Sequence, residues 1–123
     1  MVLFRKDTIT IFNKQVEAGK DVIYRTVIKG VDFQDNVLQT IVNNNIQVGR
    51  NTLIFIDKAG YMPPKAYAKL ENKGGYFTLN TGDKIVKGEI PAISSLKDLN
   101  EYDYVVTVKA VLETSSHLEV TGA

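Results

Sequence analysis

The ten residues from Tyr104 to Glu113, "YVVTVKAVLE", alternate more cleanly than any other part of the chain. Tyr104, Val106, Val108, Ala110 and Leu112 fall on one face of an extended strand, and Thr107, Lys109 and Glu113 on the other. That period of two belongs to a sheet with one wet face, the arrangement antiparallel sheets permit. A second run, "HLEV", follows across "TSS" and is expected to pair with it.

The rest of the chain reads the same way. "DTITIFNK" is β-branched and alternating, and a turn in "EAGKD" places the end of the first strand near Lys14. "VIYRTVIKGV" from Val22 is its hairpin partner, interrupted by Gly30. A glycine inside a strand pattern marks a bulge or sharp bend, so "VDFQDNVLQTIV" is expected to continue at an angle. "NNNIQVGRN", Asn43 to Asn51, reads as a loop because asparagine and glycine tolerate turn geometries. "TLIFID" is a short apolar strand, and "YFTL" and "DKIVKGEI" are two more, joined across "NTGD" as a tight hairpin that Pro91 ends.

Helix has few openings. "PKAYAKLE" is one turn begun at Pro64 within an irregular, Pro- and Gly-bearing excursion. "SSLKDLNEYD" is a short helix that Ser94 or Ser95 can cap, with Leu96 and Leu99 on one face. Seven or eight short strands with one or two short helical segments predict a mainly β chain, a small antiparallel barrel or sandwich filling 1–123 as a single domain. "TLIFID" and "KIVK" place apolar residues on both faces, so the extra faces either lie under a helix or loop of the same chain or meet other subunits.

The totals narrow the function classes. A chain of 123 residues can bury roughly two-thirds of its unfolded surface without staples. Fifteen Lys and Arg against fourteen Asp and Glu leave no global field to draw it to nucleic acid or membrane. With no cysteine there is no disulfide, thiolate nucleophile or cysteine-ligated zinc, and cytosolic assembly is the simpler expectation. No run approaches the length of a signal-peptide core or a membrane span.

Candidate chemistry is thin. Asp32 and Asp35 are an acid/base pair only if the backbone brings them to one face, and a strand sends them to opposite sides. Asp98, Glu101 and Asp103 lack the order of a calcium loop. His117 is the only histidine, with no nucleophile motif near it. "ENKGGYF" and "NTGDK" miss the phosphate-loop spacing. No catalytic residue, metal ligand or cofactor site is therefore expected. Lys65, Lys69, Lys73, Lys84 and Lys87 lie near Tyr61, Tyr67, Tyr76 and Phe77, a basic-aromatic mixture that an OB-like binder of single-stranded nucleic acid would use.

"TITIFNK" followed by "YRTVIKGVDFQDN", then "YFTLNTGDKIVKGEI", then "YDYVVTVKAVLE" ending in "HLEV", resemble the small neck-region proteins of tailed phages and prophages of Firmicutes. Phe33 and Leu118 stand where such relatives are expected to carry tryptophan. The resemblance implies a stopper-like, non-catalytic β-barrel subunit of the virion. It would assemble in the host cytoplasm as a homo-oligomer ring between portal or adaptor and tail, with genomic DNA passing through the lumen without sequence-specific binding. A tail-terminator or tail-completion role is the neighbouring alternative. Partner contacts are expected on the long loops, at Asn43, Asn44, Asn45, Arg50, Tyr61 and Met62.

Overall fold

The computed structural model describes residues 7–42, 45–93, 95–102 and 104–123, with side chains described outside 35–50. Six antiparallel strands close into a barrel: β1 (Asp7–Glu17), β2 (Lys20–Val42), β3 (Asn45–Asp57), β4 (Lys84–Lys87), β5 (Val105–Glu113) and β6 (His117–Gly122). Their order around the barrel is β1-β2-β3-β6-β5-β4, so β4 returns to β1. One short helix, α1 (Pro64–Ala68), lies between β3 and β4, and a 3-10 turn (Leu96–Glu101) lies between β4 and β5. The barrel interior is filled by Ile9, Ile11, Val31, Phe33, Ile54, Ile56, Ile85, Val106, Val108, Leu118 and Val120, joined by Phe77 and Leu79 from the excursion before β4.

Gly30 is the bend. Asp7 pairs with Val31 and Thr8 with Lys29, so Gly30 is left unopposed, at a φ of 76° that suits glycine. Up to this bulge β2 pairs with β1, and beyond it β2 pairs with β3. Val31 and Phe33 turn inward and are buried, while Asp32 and Gln34 are half-buried on the outer side.

Several expectations need correction. β1 continues past Lys14 to Glu17, because Ala18 and Gly19, both at positive φ, make a two-residue turn that holds Glu17 opposite Lys20. Asn45 to Asn51 is strand rather than loop. It forms an antiparallel ladder with 36–42, which supplies every residue with a partner whatever its own preference. "YFTL" is not a ladder strand: Phe77 makes one isolated bridge to Tyr61, and β4 pairs with β1 and β5 instead.

The alternation in "YVVTVKAVLE" holds only to Val108. Register shifts between Val108 and Ala110, and a bulge at Lys109 reverses the faces. Val111 then packs toward the core while Ala110 and Leu112 are exposed, Leu112 by 59%. Tyr104, also expected on the inner face, is 49% exposed.

The second apolar face of "KIVK" lies under the chain's own residues. Val86, Phe12, Ile90 and Leu99 form a separate cluster outside the barrel, flanked by Ile23, Ile93, Leu96, Tyr102 and Val105. Residues 88–93 and 95–102 strap across β1 and β4. Thr10 ties the strap down by donating to the Gly88 carbonyl at 2.7 Å and accepting from the Ile90 amide at 2.9 Å. Arg25 donates to the Ile90 carbonyl from the next strand. Ser95 caps the 3-10 turn, accepting from the Lys97 amide while the Asp98 carboxylate accepts from the Ser95 amide.

Candidate functional site

Two hairpins run beyond the strands that flank them, and they mark opposite ends of the barrel. β1 pairs with β4 only from Ile9 to Phe12, so the β1–β2 hairpin from Asn13 to Tyr24 extends past β4 at one end. At the other end β1 leaves β2 at Val31 and β6 leaves β3 at Thr52. From Asn36↔Asn51 to Val42↔Asn45, seven cross-strand pairs of β2 and β3 have no further strand beside them among the described residues. At the usual rise this two-stranded ribbon is about 24 Å long.

The first hairpin is covered by the excursion 58–83, through a buried polar cluster. Asn13, with no exposed surface, donates to the Thr78 carbonyl at 2.6 Å and accepts from the Thr78 amide at 3.3 Å. Its carboxamide thus replaces the peptide group a neighbouring strand would offer. Asn13 also donates to Asp83, at 2.8 Å. Asp83, 3% exposed, accepts further from the Asn80 and Lys14 amides. Burial pushes the Asp83 carboxyl above its ordinary value, against the opposing pull of these hydrogen bonds.

Lys73 completes the cover. Its side chain is 7% exposed, with Nζ 5.4 Å from the Tyr24 ring centre, 5.5 Å from that of Tyr67 and 3.8 Å from Glu17. It donates to the Leu70 carbonyl at 2.9 Å. Tyr24 donates to Glu17, which raises its pKa. Tyr67 is fully buried from α1, and burial lifts its phenol to about 12. Among the described residues the buried Tyr67 and Thr78 hydroxyls make no hydrogen bond. These groups are packed rather than presented to a substrate, and the arrangement pins a loop.

The other acids and the histidine do not converge. Asp32 accepts from Gln34 at 3.0 Å, opposite Phe55 in the ladder, whereas Asp35 is opposite Thr52 in the alternate register set. His117 Nδ1 lies 3.1 Å from the Thr114 hydroxyl and 3.0 Å from that of Ser116, and Nε2 is 3.7 Å from Glu119. This hydroxyl–imidazole–carboxylate run is local to the β5–β6 turn. Thr114 also donates to the His117 carbonyl and accepts its amide, which makes it a turn lock. Asp98 is committed to its cap, and Asp103 lies outside the described residues. Among the described residues no three acids or histidines gather as a metal site, and no helix is long and apolar enough to cross a membrane.

Two hollows flank the strap. One, about 540 Å³, is lined by Pro91, Ala92, Ile93, Asp98, Glu101 and Tyr102, and the other, about 280 Å³, includes Lys14, Asp21 and Ser95. The first has the volume of a ligand site, but it has no buried polar group converging on its centre.

The basic-aromatic mixture is divided. Tyr61, Tyr67, Lys73, Tyr76 and Phe77 belong to the covered end. Lys87 stands at the ribbon end, exposed, with Nζ 5.3 Å from the Phe33 ring and 5.6 Å from that of Tyr104. Lys84 donates to Thr107 at 2.6 Å.

The partner-contact residues are divided in the same way. Asn45 and Arg50 lie in the β3 arm of the ribbon. Tyr61 and Met62 lie at the covered end, where the Met62 amide donates to the Phe77 carbonyl and the Tyr61 ring packs on Phe77. Asn43 and Asn44 lie outside the described residues. The loop reading of 43–51 concealed the ribbon, although the β-branched run 37–42 before it was a usable signal.

No curated protein and no solved structure matches the chain. Residues 4–123 match one family model, described as "Family of unknown function (DUF6751)", and with that match spanning nearly its whole length the chain belongs to this family.

Proposed function

We propose that this chain is a structural subunit of a phage or prophage particle, a stopper-like component of the neck that joins head to tail and acts by assembling into a ring rather than by turnover. The observation that carries the reading is the ribbon: seven cross-strand pairs standing off a closed barrel with no further strand along their edges among the described residues. A free two-stranded ribbon is marginal in water and becomes stable when a further strand or surface joins it. Most of the sequence segments that resemble neck proteins lie in β1, β2, β4, β5 and β6 of the barrel wall that holds the ribbon. Apolar surface on "KIVK" does not contribute, since the strap covers it.

In this reading the ribbon reaches a neighbouring subunit, and the opposite, loop-covered end with Tyr61 and Met62 faces portal, adaptor or tail. DNA passes the ring without base-specific contact. Electron microscopy of intact particles tests it: density for this chain in a ring between portal and tail tube supports the proposal. Density capping the head-proximal end of the tail tube, retained on isolated tails that lack heads, favours the tail-terminator alternative. Absence from the particle refutes both.

Lys87 favours a second reading, single-stranded nucleic-acid binding, because it places a cation without a described acidic partner beside the exposed Tyr104 ring. That reading requires salt-sensitive binding of an oligonucleotide, weakened by both Lys87→Ala and Tyr104→Ala.

A further inference from the structure

Resting on the ring reading, we infer that the ring contact is made by strand addition: the β3 edge of the ribbon, Asn45 to Asn51, pairs with the β5 edge of a second copy, Ala110 to Glu113. Among the described residues, neither edge has a backbone partner. β6 flanks β3 only as far as Thr52, and β4 flanks β5 only from Val105 to Thr107. The Asn80–Asp83 turn bonds to Val108 on the same side, and beyond it no described backbone group pairs with 110–113 on that edge.

Open edges are normally protected by lysine, proline or inward charges. Residues 45–51 contain no proline, lysine or acid, and Arg50 is their single charge. Ala110, Val111 and Leu112 are also uncharged, with Lys109 and Glu113 on either side to limit how far a strand can add. Leu112 is a large aliphatic side chain that stands 59% exposed, second among the described residues to Val16 near the β1–β2 turn, at 71%. The β5 bulge at Lys109 turns Leu112 outward, so the departure from alternation creates the apolar position that a neighbour can cover.

By ladder register, Val37, Ile41, Ile46 and Val48 fall in the set that begins with Phe33 and Ile54, together with Asp35, Thr52, Gln39 and Arg50. The opposite set, Asn36, Leu38, Thr40, Val42, Asn45, Gln47, Gly49 and Asn51, is mostly polar. A stable interface uses about 20–30 residues a side. The β3 edge supplies seven residues and the β5 edge four, so in this inference the surfaces beside the two edges make up the rest of the contact.

The two edges differ in sequence and sit toward opposite ends of the barrel, so the contact is heterologous: each copy gives a ribbon to one neighbour and an edge to the other. Repetition of such a contact closes a ring or extends a filament, whereas ribbon-to-ribbon pairing would stop at a dimer.

The absence of cysteine makes the test direct. The double variant Val48→Cys with Leu112→Cys is oxidised as purified full chain and run on a non-reducing gel. The expected result is a ladder of cross-linked species ending in a closed oligomer. Val48→Cys alone and Leu112→Cys alone should remain uncross-linked, and an equimolar mixture of the two singles should give a dimer and nothing larger. A double variant that stays monomeric overturns the inference, as does efficient cross-linking of Val48→Cys alone, which would mean ribbon meets ribbon. Microscopy that places the chain outside the neck would overturn the functional proposal while leaving the cross-linking ladder intact, so the two failures are distinguishable.

Discussion

The β1–β2 hairpin beyond Phe12 and the β2–β3 ribbon beyond Asp35 are the same kind of element, two antiparallel strands that outrun their neighbours, yet the chain treats them differently. It spends residues 58–83, 88–93 and 95–102 on covering the first, using a buried asparagine, an aspartate and a lysine beneath two tyrosine rings. Along the second, no described residue of the same chain is added. A hairpin that has to be stable alone is covered from within, and the bare one is suited to be covered by something else.

The largest expected effect breaks the covered side. Phe12→Ala removes a fully buried ring from the cluster between β1 and the strap, and is expected to cost about 3–5 kcal/mol in a denaturant melt. Asn13→Ala comes next. It leaves the Thr78 amide and carbonyl without their described side-chain partner and takes one donor from a buried carboxylate, at about 1–3 kcal/mol. Retaining the wild-type melt after Asn13→Ala would show that the excursion is held by its apolar residues alone.

Asp83 sharpens the comparison through pH. Its folded pKa is raised above 3.8, chiefly by burial, so the folded state binds its proton more readily than the unfolded state. Such a group adds stability that is fully present below the unfolded pKa and is lost as pH rises through the folded one. Stability measured as wild type minus Asp83→Asn should therefore increase as pH falls from neutrality toward 3.8. Hydrogen bonds lost in the variant shift this difference by a constant but leave its slope. A slope of the opposite sign would mean that the three donors around Asp83 outweigh burial.

How legible these regions were follows from where the determining interaction lies. Gly30 could be read from sequence because a glycine in a β-branched run has few other uses, and a cap at Ser94 or Ser95 because a serine just before an apolar-spaced run suits free amides; the structure assigns it to Ser95. Both signals are local. The strand 45–51 was missed because asparagines and a glycine were judged by their own preferences, when the partner 36–42 determines their conformation. "YFTL" was read as a ladder strand, but it has one isolated bridge to Tyr61 and, at Thr78, a single side chain, Asn13, 65 residues away. Likewise Leu112 was placed inside because nothing in "TVKAVL" marks Lys109 as a bulge; the shift arises from pairing with β6 and the close approach of Gly122 to Thr107. Of the six partner-contact positions, Asn45 and Arg50 reach the ribbon, although the loop reasoning that selected them does not describe it.

A smaller effect tests the turn of the covered hairpin. Ala18 holds a φ of 52°, a left-handed conformation that costs a Cβ-bearing residue about 1 kcal/mol and glycine almost nothing. Ala18→Gly should therefore stabilise the protein by up to about 1 kcal/mol, less the extra freedom glycine gives the unfolded chain. An unchanged or lower melting temperature would indicate that the turn relaxes without cost.

The smallest effect on the isolated chain is expected in the ribbon, and it separates the two hairpins most cleanly. If nothing of the same chain rests on residues 36–42 and 45–51, Ile41→Thr should leave the stability of the separated subunit within about 0.5 kcal/mol of wild type, the range of a surface change. Amide exchange gives the complementary reading. Amides at the covered base of this hairpin, around Asn13, Lys14 and Tyr24, should be protected nearly to the global unfolding limit, because opening them requires breaking the Asn13–Asp83 and Thr78 contacts. Ribbon amides open without disturbing the core, so in the separated subunit they should exchange far faster, and they should become protected when copies assemble. Equal protection of both hairpins in the separated subunit would mean the ribbon already has a cover within its own chain, and the contrast between the two ends of the barrel would fail.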